Sequence, residues 1–250
     1  MIQLKSQREI EIMARGGKIL ADTVRLMERT VKPGMTTADL DAIAEEFIRS
    51  HPGATPSFKG LYNFPASICS SINNEIVHGI PSRKRVLNEG DVVSIDVGVF
   101  YEGYHTDSAT TVAVGKVDDE SQRLLSVTRE ALSAGVAVAK AGNHLGDIGA
   151  AVQAVVEAAG FSVVRDLVGH GIGTGFHEEP QVPNYGKPNR GIRLVPGLTI
   201  AIEPMVNVGK PGIRTMPDKW TVVTIDGKRS AHFEHTVAIT ENGPRVLTAA

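Results

Sequence analysis

The sequence predicts an α/β (α+β) fold of two similar halves, each a pair of helices followed by strands, set around a central antiparallel sheet. Three observations predict it. Apolar residues recur at helical spacing in two pairs of segments, the two pairs align at a fixed offset, and the stretches after them are rich in β-branched residues. The 250 residues, 42% of them hydrophobic, suffice for one large domain over 1–250 with a full core.

Residues 5–28 carry Ile10, Met13, Ile19, Leu20, Val24 and Leu26 among charges, close to the period of an amphipathic helix. Lys32-Pro33-Gly34 ends it. Thr36 or Thr37 caps a second helix with Leu40, Ile43, Ala44, Phe47 and Ile48 on one face, stopped by His51-Pro52-Gly53. A second pair spans 119–141 and 145–159. At an offset of 108, Lys32, Gly34, Asp39 and Ala42 meet Lys140, Gly142, Asp147 and Ala150, and Leu40 faces Ile148. Such a repeat places a functional site between the halves.

After the first pair comes DVVSIDVGVFYEGYHTDSATTVAVG, with Glu102-Gly103 as its turn. That turn pairs Tyr101 with Tyr104, Gly98 with Asp107 and Asp96 with Ala109, so Asp96 and Asp107 lie diagonally on one face. Neighbouring carboxylates repel unless protonated, hydrogen-bonded or bridged by a cation. Further along, LTIAIEPMVNV (198–208) reads as a buried strand containing Glu203, and FEHTVAIT (233–240) as another containing Glu234 and His235. An edge strand with one wet face accounts for any one such acid, but four of them, each in an apolar strand, converge on a shared site.

With a histidine from the glycine-rich GHGIGTGFHEEP at 169–180, these four carboxylates form an oxygen-rich set suited to manganese, iron, cobalt or zinc. Their four charges match two divalent ions better than one, and paired ions suit hydrolysis. The glycine-rich segment matches neither a phosphate loop nor a dinucleotide loop, and its histidines lie too far apart for a zinc-protease helix. Glycine there is expected to leave open space for a substrate beside the two histidines.

A net charge of −2 announces neither nucleic acid nor membrane as a partner. Charges at Lys5, Arg8, Glu9 and Glu11 interrupt any signal-peptide core, and no apolar run approaches the roughly 20 residues of a membrane span. The single cysteine, Cys69, excludes an internal disulfide and suits a reducing compartment. A cytoplasmic monomer is expected.

The segments NNEIVHGIP, SIDVGVFYEGYHTD, GHGIGTGFHEEPQVPNY, IEPMV and FEHT, in this order and spacing, resemble a type I methionine aminopeptidase of peptidase family M24, over residues 5–247. The resemblance implies the pseudo-twofold pita-bread fold, in keeping with the repeat. It implies Asp96, Asp107, His170, Glu203 and Glu234 as metal ligands, with Asp107 and Glu234 bridging two divalent ions. His78 and His177 are implied beside the substrate, His177 near the scissile carbonyl and His78 near the amide nitrogen. Phe64, Cys69, Phe176 and Trp220, with Leu61 nearby, are implied as the methionine pocket. Asn63 and Leu61 depart from the family pattern, which bears on pocket shape.

The activity so implied is removal of the initiator methionine from nascent polypeptide N-termini whose second residue is small. It proceeds by attack of a metal-bound hydroxide on the scissile carbonyl, with Glu203 assisting proton transfer. Transient ribosome contact is the one other partner the family suggests. The alternatives are an Xaa-Pro peptidase of the same fold, and a metal-free peptide-binding module. His51, His105, His144, His232 and His235 are expected to be structural or at the surface.

Overall fold

A computed structural model describes residues 2–249. Four helices form as two pairs. Helix α1 (Gln7–Thr30) begins at a Ser6 cap whose partner is Glu9, and α2 (Thr37–Arg49) at a Thr36 cap whose partner is Asp39. Helices α3 (Asp119–Val138) and α4 (Leu145–Ala158) make up the second pair.

The repeat extends into the backbone hydrogen bonds. Asp39 accepts from the Thr36 amide at 2.8 Å, and Asp147 accepts from the His144 amide at 2.6 Å. Gly34 donates to the Leu87 carbonyl and Gly142 to that of Leu194. Both glycines turn with positive φ, 87° and 96°, which a side chain would resist. His144 is thus the second-half counterpart of the Thr36 cap, a structural role.

Each half has its own apolar core. In the first, Leu20, Met27, Leu40 and Ile48 of the helices pack on Val93, Ile95 and Val97. In the second, Leu124, Ile148 and Val152 pack on Ile200, Ile202 and Val237. Among the described residues, no helix is long and apolar enough to cross a membrane.

Strand pairing is antiparallel throughout, divided over four short sheets. The strands Val92–Tyr101 and Tyr104–Ala113 form the expected hairpin, with Tyr101 opposite Tyr104, Gly98 opposite Asp107 and Asp96 opposite Ala109. The run 198–208 departs from expectation: it is two strands, Thr199–Ile202 and Met205–Asn207, parted at Glu203-Pro204. Pro204 has no amide hydrogen to give a ladder. Opposite it the chain breaks in the same place, into Ser230–His232 and His235–Thr240. The flanking pairs, Ile202 with His235 and Met205 with His232, keep one register, so Glu203 faces Glu234 across the gap.

The freed backbone there pairs with the other half. The Glu234 amide donates to the Ala109 carbonyl at 3.0 Å. Hydroxyls make most of the remaining links: Thr236 accepts from the Asp107 amide and donates to its carbonyl, Ser108 donates to the Glu234 carbonyl, and Thr111 holds both the amide and the carbonyl of His232. The halves therefore meet along a seam of side-chain hydrogen bonds, with Asp107 on one side and Glu234 on the other.

Candidate metal centre

The four acids come together as two from each half. Asp96 and Asp107 ride the first hairpin, and Glu203 and Glu234 occupy the matching breaks of the second half. His170 comes from the short strand Gly169–Gly171. Its Nε2 lies 3.9 Å from Asp107 Oδ2 and 3.8 Å from Glu203 Oε1. Ligand atoms of Asp107, His170 and Glu234 all fall within 4.8 Å of one another.

All five are largely enclosed, with Asp96 8%, Asp107 4% and Glu234 1% exposed. Burial pushes all four carboxyl pKa values above the ordinary range, and the neighbouring acids add to the shift at Asp107, Glu203 and Glu234. Burial, helped by His177, lowers His170 to about 4. The His170 Nδ1 meets the Gly171 carbonyl at 2.8 Å, which makes Nδ1 the donor and turns the Nε2 lone pair toward the acids.

These residues fit a borderline divalent cation. The donors are carboxylate oxygens and one neutral imidazole, and Asp96 Oδ1 and Glu234 Oε1 are buried with no hydrogen-bond partner among the described residues.

One cavity of about 180 Å³ is lined by all five residues. Its wall also holds His78, His177, Phe64, Cys69, Phe176, Trp220 and Leu61, so every residue assigned to the site in the sequence faces the same space. The volume is below the roughly 300 Å³ at which drug-sized pockets begin, and suits a single side chain. A larger cleft of about 510 Å³ lies elsewhere. Among the described residues its one carboxylate side chain, Glu28, is bonded to Thr110, so the chemistry sits in the smaller space.

The apolar end is built of aromatic edges, Phe64 against Trp220 with ring centres 5.0 Å apart and Phe58 against Phe176 at 5.3 Å. Gly98 leaves room for this packing, since a Cβ there would come within 3.0 Å of Phe176. Burial, then the charges of Asp96 and Asp107, pushes the Cys69 thiol well up and keeps it neutral. His78 holds a left-handed backbone, φ 60°, and burial lowers its pKa to about 4.

His177 stands at the mouth, its ring 4.4 Å from that of His170. Tyr62 stacks on it at 5.7 Å and 14°, with its hydroxyl 3.3 Å from His177 Nδ1. Phe58 and Tyr62 were not assigned to the site from sequence. No local signal marks them, because a three-residue turn with left-handed Tyr62 and Asn63 carries Tyr62 to the mouth.

The glycine-rich segment has a different use from the one expected. A Cβ on Gly169 would lie 2.3 Å from the Ala201 carbonyl, one on Gly171 2.2 Å from that of Glu179, and one on Gly173 2.2 Å from Lys5 Cε. These glycines make room for the protein itself. The strand fits tightly between its neighbours, and Lys5 passes beneath the loop to pair with Glu178, both side chains nearly sealed at 3% and 9% exposure. Glu178 in turn accepts from the Gly175 amide at 2.9 Å, beside His177.

Lys5→Ala is expected to leave the Glu178 carboxylate buried and unpaired, a cost of about 3–5 kcal/mol. At roughly 2–4 °C per kcal/mol for a chain of this size, the melting temperature should fall by roughly 10 °C. A thermal melt unchanged within a degree would show that the pair contributes nothing.

Four of the five remaining histidines are structural. The His51 ring bonds the Phe47 carbonyl, His105 bonds Ser57, His144 holds the N-cap position of α4 with its backbone amide donating to Asp147, and His235 bonds Thr248. His232, read with them as structural or at the surface, is buried. It lies at the edge of the acid cluster, 3.7 Å from Glu203 and 3.8 Å from Glu234. The signal in the sequence is proximity alone: His232 stands two residues before Glu234, the two straddling the break between Ser230–His232 and His235–Thr240.

Comparison with known proteins gives a consistent set of likenesses. Residues 11–241 match metallopeptidase family M24. A methionine aminopeptidase of Clostridium perfringens is 54% identical over 248 residues, covering 99% of each chain. The crystal structure of a methionine aminopeptidase from Thermotoga maritima superposes with a TM-score of 0.98 at 44% identity, covering 100% of both chains. A prolidase from Pyrococcus horikoshii shares the fold at 24% identity, with a TM-score of 0.79 and 63% of its length covered.

Proposed function

We propose, from the premise that this chain belongs to metallopeptidase family M24 and within it to the methionine aminopeptidases, that its cavity holds the first residue of a polypeptide and cleaves the bond after it. The chain is a metal-dependent hydrolase. The observation that carries the site assignment is the single cavity shared by four carboxylates, one oriented imidazole and an aromatic pocket.

In this reading Asp96, Asp107, His170, Glu203 and Glu234 would together hold two divalent cations. Such cations, when bound, supply a polarised carbonyl and a nucleophilic water at neutral pH. The protein's residues do the rest. Phe64, Cys69, Phe176 and Trp220 hold the methionine side chain, whose thioether favours aromatic edges. His177 donates to the scissile carbonyl oxygen from Nε2, its Nδ1 resting 3.3 Å from the Tyr62 hydroxyl. His78 lies near the amide nitrogen, and Glu203 carries a proton toward that nitrogen as the bond breaks. The natural substrates are new polypeptides with a small second residue, met in the cytoplasm.

The test is release of free amino acid from Met-Ala-Ser, Met-Lys-Ser, Leu-Ala-Ser and Ala-Pro-Ser, with chelator and after restoring manganese, cobalt or iron. Met-Ala-Ser alone should be cut, the activity vanishing with chelator and returning with metal. Cleavage of the proline peptide instead would favour an Xaa-Pro peptidase, and no cleavage with any metal a binding module.

A further inference from the structure

His232 is 1% exposed and does not line the cavity. Neither ring nitrogen has a hydrogen-bond partner among the described residues, a costly condition for a buried imidazole. Its Nε2 lies almost midway between Glu203 Oε2, at 3.7 Å, and Glu234 Oε2, at 3.8 Å. The other oxygen of Glu203, Oε1, is the one that faces His170 at 3.8 Å. Glu203 therefore stands between two imidazoles, one to each oxygen. The ring is also held in place from its backbone, because Thr111 bonds both the amide and the carbonyl of His232.

We propose that His232 is a positioning residue for the cation site, donating Nε2–H to the outer oxygen of Glu203, with Glu234 as the alternate acceptor. Both distances exceed hydrogen-bond length, and closing one takes a shift of under about 1 Å. A carboxylate tied at one oxygen presents the other in a fixed direction, and such outer partners set how tightly a site holds its metal. The proposal rests on the reading of Glu203 and Glu234 as ligands. A buried histidine kept only for packing would need no oxygen at either nitrogen and could be replaced by any side chain of its size.

Gln and Met fill similar space, but only Gln can donate from the end of its side chain. Manganese binding to the chelator-stripped protein, followed by titration calorimetry, separates the two roles. H232M should bind manganese about tenfold or more weakly, while H232Q stays within a few-fold of the unsubstituted protein. H232A, which also lacks the donor, should fall with H232M, and melts of the stripped proteins establish that each variant is folded. Equal affinity in H232Q and H232M would overturn the proposal, as would a folded H232A that binds as well as the parent. Absence of manganese binding by the unsubstituted protein would instead overturn the ligand assignment beneath it.

Discussion

Asp107→Asn is expected to lower kcat/KM on a Met-Ala peptide by about three orders of magnitude, and at the same time to stabilise the stripped protein above neutral pH. Asp107 joins the cluster from the seam, within ligand distance of His170 and Glu234. Losing a charged ligand forfeits several kcal/mol of transition-state stabilisation, at about 1.4 kcal/mol per decade of rate. The stability effect has the opposite sign. Burial, then Asp96 and Glu203, raises the Asp107 pKa in the fold. A carboxyl raised in the folded state contributes stability that is complete below its unfolded pKa and is lost as pH rises through the folded value.

Stripped wild-type protein therefore loses this contribution as pH climbs above the ordinary carboxylate range, and Asn, which does not titrate, is spared. Both proteins share the buried histidines, so these cancel in the difference. Melts of the two stripped proteins from pH 4 to pH 8 should diverge in favour of Asp107→Asn as pH rises, and manganese should reverse the order. A variant that melts lower at every pH without metal would show that Asp107 is held by favourable contacts rather than awaiting a cation.

His177→Ala is expected to reduce kcat by about 10²–10³ while metal content and melting temperature stay near those of the parent. The residue is exposed at the mouth and bonds only Tyr62, so its loss breaks little of the fold. A donor aimed at charge that develops in the transition state affects kcat more than KM. A rise in KM alone would make it a contact to bound substrate and no more. Loss of bound manganese would move it into the ligand set in place of its assigned role.

Where local rules governed the chain, the sequence was a faithful guide. The Glu102-Gly103 turn determined the hairpin register to the residue, and with it the placing of Asp96 and Asp107. The helix caps and the repeat followed from Thr36, Asp39 and their counterparts. What stayed hidden depended on distant partners. Nothing near Gly173 shows that Lys5 will lie beneath it, so the glycines read as room for a substrate. The apolar run through 198–208 masked the break at Pro204, although proline's missing donor was visible. His232 was passed over because each histidine was weighed singly, and the break after it that brings its ring beside Glu203 and Glu234 was not foreseen. The aromatic pocket was legible only through the family motifs, since Phe64 and Trp220 meet across a long separation in the chain.

The division of the acids between the two halves has a consequence for the direction in which a peptide is read. Two carboxylates from each side of a pseudo-twofold axis make a centre with nearly no sense of left and right, and a chain lying across it could run either way. In the proposed reading the ligand imidazole, His170, comes from the second half. The aromatic cluster then closes one end of the cavity and leaves the mouth beside His177. These unmatched parts turn a two-ended site into a one-ended one, where a chain enters terminus first and stops after a single side chain.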